Sequence, residues 1–381
     1  MIDAMRRAYR RFLLPVGILS GAIIGAGVFS LPYVLHPFGT VVAGLYLGLL
    51  GLVFATVHLL YADLLLRTPG SPNFVGVARY YLGTPGLWLT FVTGVLQTFL
   101  VLLVYLVLAQ SFVSLVVPSA APASGVFAFW FFGSLAIFLS VRRFAAVEFF
   151  ITGGIVAIFG FVFWLGLSSA APLITYGGAP LPLGVALLAI GPVLFSLSGR
   201  VAVAEIITYF RRDVAATSDI RRSVVAGTLL PAFCYFLFVV AVWALSPVVS
   251  ADAVSGLRGV VSSGTLVVIG ILGLLSLWSS YIIVGLNVKN ILRDDLRFPA
   301  WVAGAFVVVL PPALYAFGFT NFLALIGFIG STFLAVEGAL IIYLWQRANR
   351  ENAPVLLLRL SWCALLPLYI IFALALVSVF M

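Results

Sequence analysis

Apolar runs of about twenty or more residues recur along the whole chain, and only a solvent that accepts them on every side lets such a chain fold. They fall at about 12 to 36, 39 to 66, 86 to 117, 125 to 141, 145 to 168, 183 to 210, 222 to 245, 264 to 289, 299 to 317, 320 to 344 and 356 to 380. In hydrocarbon, every backbone N–H and C=O must be satisfied within the segment or in a closed barrel. The runs are long and lack the ten-residue alternation of barrel strands, so they predict helices, about eleven of them. Asp, Glu, Lys and Arg make up only 8% of the chain, against about 25% in a soluble domain. The expected fold class is an all-α integral membrane protein: a single transmembrane domain over residues 1–381, with no sizeable soluble part.

The formal charge of +9 would suggest nucleic acid in a soluble protein, but position explains it better. With a cytoplasmic N-terminus and eleven crossings, every Lys and Arg except Arg200 and Arg258 falls on the cytoplasmic side, and a miscount by one span would scramble that segregation. The chain is therefore expected in the cell membrane as a multi-pass protein, its C-terminus external, with the lipid bilayer and not nucleic acid as its surroundings. The basic leader before Phe12 resembles a signal peptide. It lacks a small-residue cleavage site and the apolar run carries on, so the first span is read as uncleaved. Cys234 and Cys363 lie in apolar runs and imply neither a disulfide nor a zinc site. Residues 71 to 85 read as a short amphipathic segment at the cytoplasmic interface or a plain loop. The external loop 246 to 263, around Asp252 and Arg258, is either a connection or a lid.

The first span reads GAIIGAGVFSLP from Gly21 to Pro32. Gly21 and Gly25 alone form a small-residue packing face. The glycines are too dense for one face, however, and unpaired backbone at membrane depth is tolerated only where it lines a cavity, so a broken helix is expected. Span six carries a comparable interruption in Gly191, Pro192 and then FSLSGR from Phe195 to Arg200. Spans one and six are five apart, so a five-span repeat places its second copy upside down. Paired interrupted helices in inverted halves mark the binding site of a secondary transporter. Half-helix N-termini offer N–H groups to an anion and unwound carbonyls hold a cation, which suits a zwitterion such as an amino acid.

GAIIGAGVFSLPY, from Gly21 to Tyr33, resembles the first-span signature of the amino acid/polyamine/organocation superfamily. FSLSGRVAVAEI, from Phe195 to Ile206, resembles the sixth-span motif of its amino acid/auxin permease branch, which includes aromatic amino acid permeases. The resemblance implies a LeuT-type fold of two inverted five-helix repeats, about 12–168 and 183–344, plus an extra helix at about 356–380, with helices one and six discontinuous. It places Ile23, Gly25, Ala26 and Gly27 from span one, and Phe195, Ser196, Ser198 and Gly199 from span six, around the substrate. Tyr105 of span three borders the same cavity, with Gln97 and Gln110 as further candidates.

Where the branch usually reads Ser-Gly-His and later Pro-Glu, this chain reads Ser198, Gly199, Arg200 and then Ala204, Glu205. An arginine inside a span costs about 2.5 to 3.5 kcal/mol on insertion scales and should face a wet cavity or a carboxylate. Glu205 and Glu337 are the partners deepest in spans. Arg200 then either locks helices together, contacts a substrate carboxylate, or belongs to a gate. For coupling, sodium-coupled relatives imply a possible cation site at Gly21, Ile24, Ser279 and Ser280, whereas Glu205, Glu337, Glu148 and Asp63 are the proton candidates, the last two interfacial. No carboxylate lies near the span-one break, which favours protons over sodium, and no cofactor or metal beyond the coupling ion, H+ or Na+, is implied. His58 reads as a hydrogen-bonded core histidine and His36 as an interface residue, while Lys289 snorkels.

The leading expectation is a secondary transporter working by alternating access on neutral, hydrophobic or aromatic amino acids, coupled to protons. Sodium coupling and a non-transporting nutrient receptor on the same fold are the alternatives. An enzyme would need a nucleophile with a base, or a metal cluster, and two distant histidines supply neither.

Overall fold

The computed structural model describes residues 8–381 apart from 71–72, 120, 139–156, 159, 168–181, 214–215, 247, 295–296 and 358–359. Most of the fifth apolar run, including Glu148, lies outside the described residues, as do Arg142 and Arg143 before it, although 160–167 are helical. The other runs are helices. The first is α1 (Leu14–Ile23), which continues past a break as a 3-10 turn (Ala26–Ser30) and α2 (Leu31–Leu35). Gly39, at φ +68°, turns the chain into α3 (Gly39–Arg67). Helix α4 (Phe74–Val116) is followed by α5 (Pro122–Phe138), then α6 (Leu183–Leu197) and α7 (Arg200–Asp213). The rest are α8 (Thr217–Leu245), α9 (Ser263–Asp294), α10 (Ala300–Ala316), α11 (Phe322–Phe328), α12 (Ala335–Glu351) and α13 (Trp362–Ser378), with a π turn at Ile329–Leu334 joining α11 to α12. Among the described residues, six helical stretches are long and apolar enough to cross a membrane, with three shorter apolar helices beside them. On α3, Leu45, Leu49 and Leu52 are exposed along one stripe while Leu47, Leu50 and Val53 are buried, the pattern of a helix with lipid on one face and protein on the other.

The segment 71 to 85 resolves into local chemistry. Asn73 caps α4 by accepting from the Gly76 amide at 2.8 Å, and Gly83, at φ +69° and ψ −150°, kinks the helix just before Pro85. The amphipathic first stretch is thereby set off from the spanning stretch that follows.

Packing sorts the helices into groups. Helices α4, α5, α9 and α10 pack on one another, while α1, α3, α7 and α8 form a second set. Helix α6 crosses the π turn at a glycine contact: a Cβ on Gly191 would sit 2.5 Å from the Gly327 carbonyl, and one on Gly330 would overlap the Gly191 carbonyl. Pro192 does not interrupt span six, because α6 runs through it and ends at Leu197. Its own carbonyl accepts from the Ser196 hydroxyl at 2.8 Å, and the interruption falls where Ser198 and Gly199 take over.

Candidate functional site

Both expected breaks are present. Helix α1 ends at Ile23, Ile24 turns extended at ψ 101°, and Gly25 is fully extended at φ −146° and ψ −156°. Helix α6 ends at Leu197, and Ser198, at φ −69° and ψ 130°, leads through Gly199 into α7. The two breaks touch. A Cβ on Gly27 would lie 2.6 Å from Ser196 Oγ and 2.9 Å from Phe195 Cδ1, and one on Gly199 would lie 2.5 Å from Ile23 Cγ1. Glycine is therefore required at both positions by close approach. Ile23, Gly27, Phe195, Ser196 and Gly199 form one cluster, with Ala26 buried in the adjoining 3-10 turn.

Tyr235 of α8, which sequence reasoning missed, holds this cluster. Its side chain is fully buried, and its hydroxyl lies 2.8 Å from the Ile23 carbonyl and 3.1 Å from the Ser196 carbonyl. The available signal was a polar atom deep in an apolar span, which must find a partner there. Aromatic rings close the next layer, where Phe29 meets Phe112 of α4 edge-on at 5.1 Å and Phe238 of α8 at 5.9 Å.

Tyr105 is buried in α4, and its hydroxyl faces Ser280 of α9. Of the possible cation site, Ser279 and Ser280 stand on α9, whose main packing partners are α4, α5 and α10. Gly21 stands on α1, with Ile24 just past its end, and α1 packs chiefly on α8 and α7. Ser280 therefore meets Tyr105 across the α4–α9 contact.

Arg200 Nε lies 2.7 Å from Glu337 Oε1 on α12, and the guanidinium stacks 4.6 Å above the Phe74 ring. Tyr61 of α3 faces the same guanidinium. Glu205 lies one turn further along α7 and is exposed. A small cavity beside the pair is lined by Phe54, His58, Gly199, Arg200, Leu334 and Glu337. His58 Nδ1 lies 2.9 Å from Thr228 Oγ1, whose own hydrogen goes to the Val224 carbonyl at 2.9 Å. With the Thr228 hydrogen on that carbonyl, His58 Nδ1–H is the donor to Thr228 Oγ1.

Several residues read as interfacial have definite partners. Asp63 is fully buried, accepts from Trp345 Nε1 at 2.8 Å and from the Val355 and Leu356 amides at 2.7 and 2.8 Å, and pairs with Arg67 at 2.7 Å. Lys289 donates to the Ile137 and Phe138 carbonyls at 3.0 and 2.8 Å, capping the end of α5. His36 meets Trp243 edge-on at 5.7 Å. Gln110 accepts from the Tyr315 hydroxyl at 2.8 Å. In the loop after α8, Asp252 accepts from the hydroxyls of Ser250 and Ser255, and Arg258 reaches Ser114 of α4, so the loop is fastened to α4.

Residues 9–381 match the family model described as the tryptophan/tyrosine permease family. Comparison with curated proteins gives no match. Among solved structures the chain is similar to MhsT in complex with L-phenylalanine, at 17% identity over 96% of this chain and 98% of that one, with a TM-score of 0.64. It is similar to Mhp1, a nucleobase-cation-symport-1 family transporter, in a closed conformation with bromovinylhydantoin bound, at 15% identity over 97% and 90%, with a TM-score of 0.62. A manganese transporter of Eremococcus coleocola matches at 13% identity over 96% and 85%, with a TM-score of 0.60. These likenesses show the LeuT-type fold with its discontinuous helices one and six.

Proposed function

The chain belongs to the tryptophan/tyrosine permease family, and from that premise we propose that its substrate is a neutral amino acid, hydrophobic or aromatic, carried by proton-coupled symport. It is a multi-pass membrane protein and a secondary transporter, not an enzyme. The observation that carries the substrate reading is the meeting of the two breaks at Ile23, Gly27, Ser196 and Gly199. The backbone of Gly25, Ala26 and Gly27 at the start of one half-helix, and of Ser198 and Gly199 at the start of the other, takes the substrate carboxylate. Carbonyls at the two preceding helix ends other than those of Ile23 and Ser196, which Tyr235 occupies, take its ammonium group. Phe195 and Tyr105 offer apolar surface to the side chain. The bound L-phenylalanine of MhsT and the family's name support an aromatic ligand.

Arg200 and Glu337 are the gating and coupling pair of this reading, with Glu205 as the further carboxylate. The cytoplasmic N-terminus, the external C-terminus and the placement in the cell membrane rest on the Lys and Arg segregation, and membership of the amino acid/auxin permease branch rests on the two motifs. A thermal-shift panel of the twenty amino acids on purified protein, at two pH values with and without sodium, tests the substrate class, because a ligand that binds only the folded state raises its midpoint. Tryptophan, tyrosine or phenylalanine is expected to give the largest rise, and no rise with any amino acid sinks the proposal.

A further inference from the structure

Two helices end at one point in this protein. Helix α1 terminates at Ile23 and α6 at Leu197, and both direct their last carbonyls toward the same place. A helix C-terminus carries about half a negative charge on its unpaired carbonyls, so two of them meeting inside a membrane create a focus that attracts a cation. The chain fills that focus from α8. The Tyr235 hydroxyl sits 2.8 Å from the Ile23 carbonyl and 3.1 Å from the Ser196 carbonyl, with the Gly25 backbone also in reach.

We propose that the Tyr235 hydroxyl stands in for a cation at the carbonyl ends of the two breaks, so that this residue sets the ion dependence of the substrate site. The inference rests on the transporter reading above and deepens its coupling side. A phenol has one hydrogen to donate, and it lies between two acceptors on different helices. Shared between them as a three-centre bond, that one hydrogen ties both breaks, more weakly than a bound ion would, without an ion having to arrive or leave in each cycle. Tyr235 is a positioning residue here, because it acts on the backbone that surrounds the substrate. The side chain leaves no room for a sodium ion between the same two oxygens, and the first effect of removing it is to expose a pair of carbonyls suited to one.

The test uses the full-length protein in detergent, with the unfolding midpoint read in sodium chloride and in choline chloride at equal ionic strength. Tyr235→Ala opens the space and is expected to gain a sodium-specific rise on the order of 2 °C beyond any seen in the wild type. Tyr235→Phe removes only the hydroxyl and keeps the ring in place. It is expected to unfold on the order of 2 °C below the wild type in both salts, with a several-fold weaker response to tryptophan. A Tyr235→Ala protein with no sodium-specific gain overturns the proposal. So does a Tyr235→Phe protein with the midpoint and tryptophan response of the wild type, which decides the matter should the alanine variant not fold. Midpoints are read without transport, so a wild-type protein that moves no amino acid in vesicles would count against the substrate reading and leave the Tyr235 result standing.

Discussion

Arg200 and Glu337 meet at 2.7 Å, joining the second half of span six to α12 across 137 positions of sequence. Both side chains are mostly buried, with 20% and 12% exposure, so neither charge is left to bulk water. Removing one partner strands the other: Glu337→Gln is expected to destabilise the protein by about 3–5 kcal/mol, and replacing both with apolar residues to cost far less. Denaturant unfolding of Glu337→Gln, Arg200→Met and the double variant checks this. Equal losses in all three would show that the pair does not act as a unit. The gating role predicts in addition that the double variant folds but transports poorly.

Glycine at the breaks is required by contact and not by φ. Gly27→Ala would drive a methyl into Ser196 and Phe195, an overpacking that costs about 1–3 kcal/mol. It should also abolish the midpoint rise with substrate. Gly17→Ala is the control in the same span, on α1 before the break, since nothing lies within 4 Å of its added Cβ, and helix propensity favours alanine by about 1 kcal/mol. Thermal-shift titration of the two variants side by side separates damage at the break from damage to α1.

Asp63 fastens the chain after α12. Its carboxylate holds the Val355 and Leu356 amides as well as Trp345 and Arg67. Asp63→Asn keeps the shape but removes the charge, leaving Arg67 without its buried counterion. Faster hydrogen exchange at the Val355 and Leu356 amides than at the interior of α12 is expected. Unchanged exchange there would remove Asp63 as the anchor of that turn.

The loop after α8 has a pH dependence of definite sign. Burial pushes the Asp252 carboxyl up, but hydrogen bonds from Ser111, Ser255 and Ser250 outweigh it and hold the group below the ordinary carboxylate range. A folded value below the unfolded one contributes stability that is present above the unfolded value and lost as pH falls through the folded one. Loop attachment should therefore be constant from about pH 5 to pH 8 and weaken only below about pH 4. Hydrogen exchange of residues 250–258 across that range reads it directly, and loosening near neutrality would contradict it.

The apolar runs carried the helical architecture because hydrocarbon leaves the backbone few choices, and the clustered glycines of span one marked a break for the same reason. Partner choice was harder to read. Arg200 and Glu205 are five residues apart, which on a helix places them on different faces, so Glu337 was the better partner even from spacing. Tyr235 was hidden because a tyrosine in an apolar span resembles a lipid-facing aromatic until its hydroxyl is placed. Pro192 signalled an interruption that falls six residues later, because a proline removes one helical hydrogen bond without ending the helix, which here runs on to Leu197. The buried role of Asp63 depends on a turn after α12 that has no periodicity to announce it.

Uptake into proteoliposomes tests the proposed proton-coupled transport of an aromatic amino acid most directly. Full-length protein is reconstituted and labelled tryptophan uptake is followed under an inward proton gradient, an inward sodium gradient, or neither. Accumulation driven by the proton gradient, unchanged by replacing sodium with choline and abolished by Gly27→Ala, is the predicted result. Accumulation that requires sodium, or tryptophan binding without accumulation under either gradient, would contradict it.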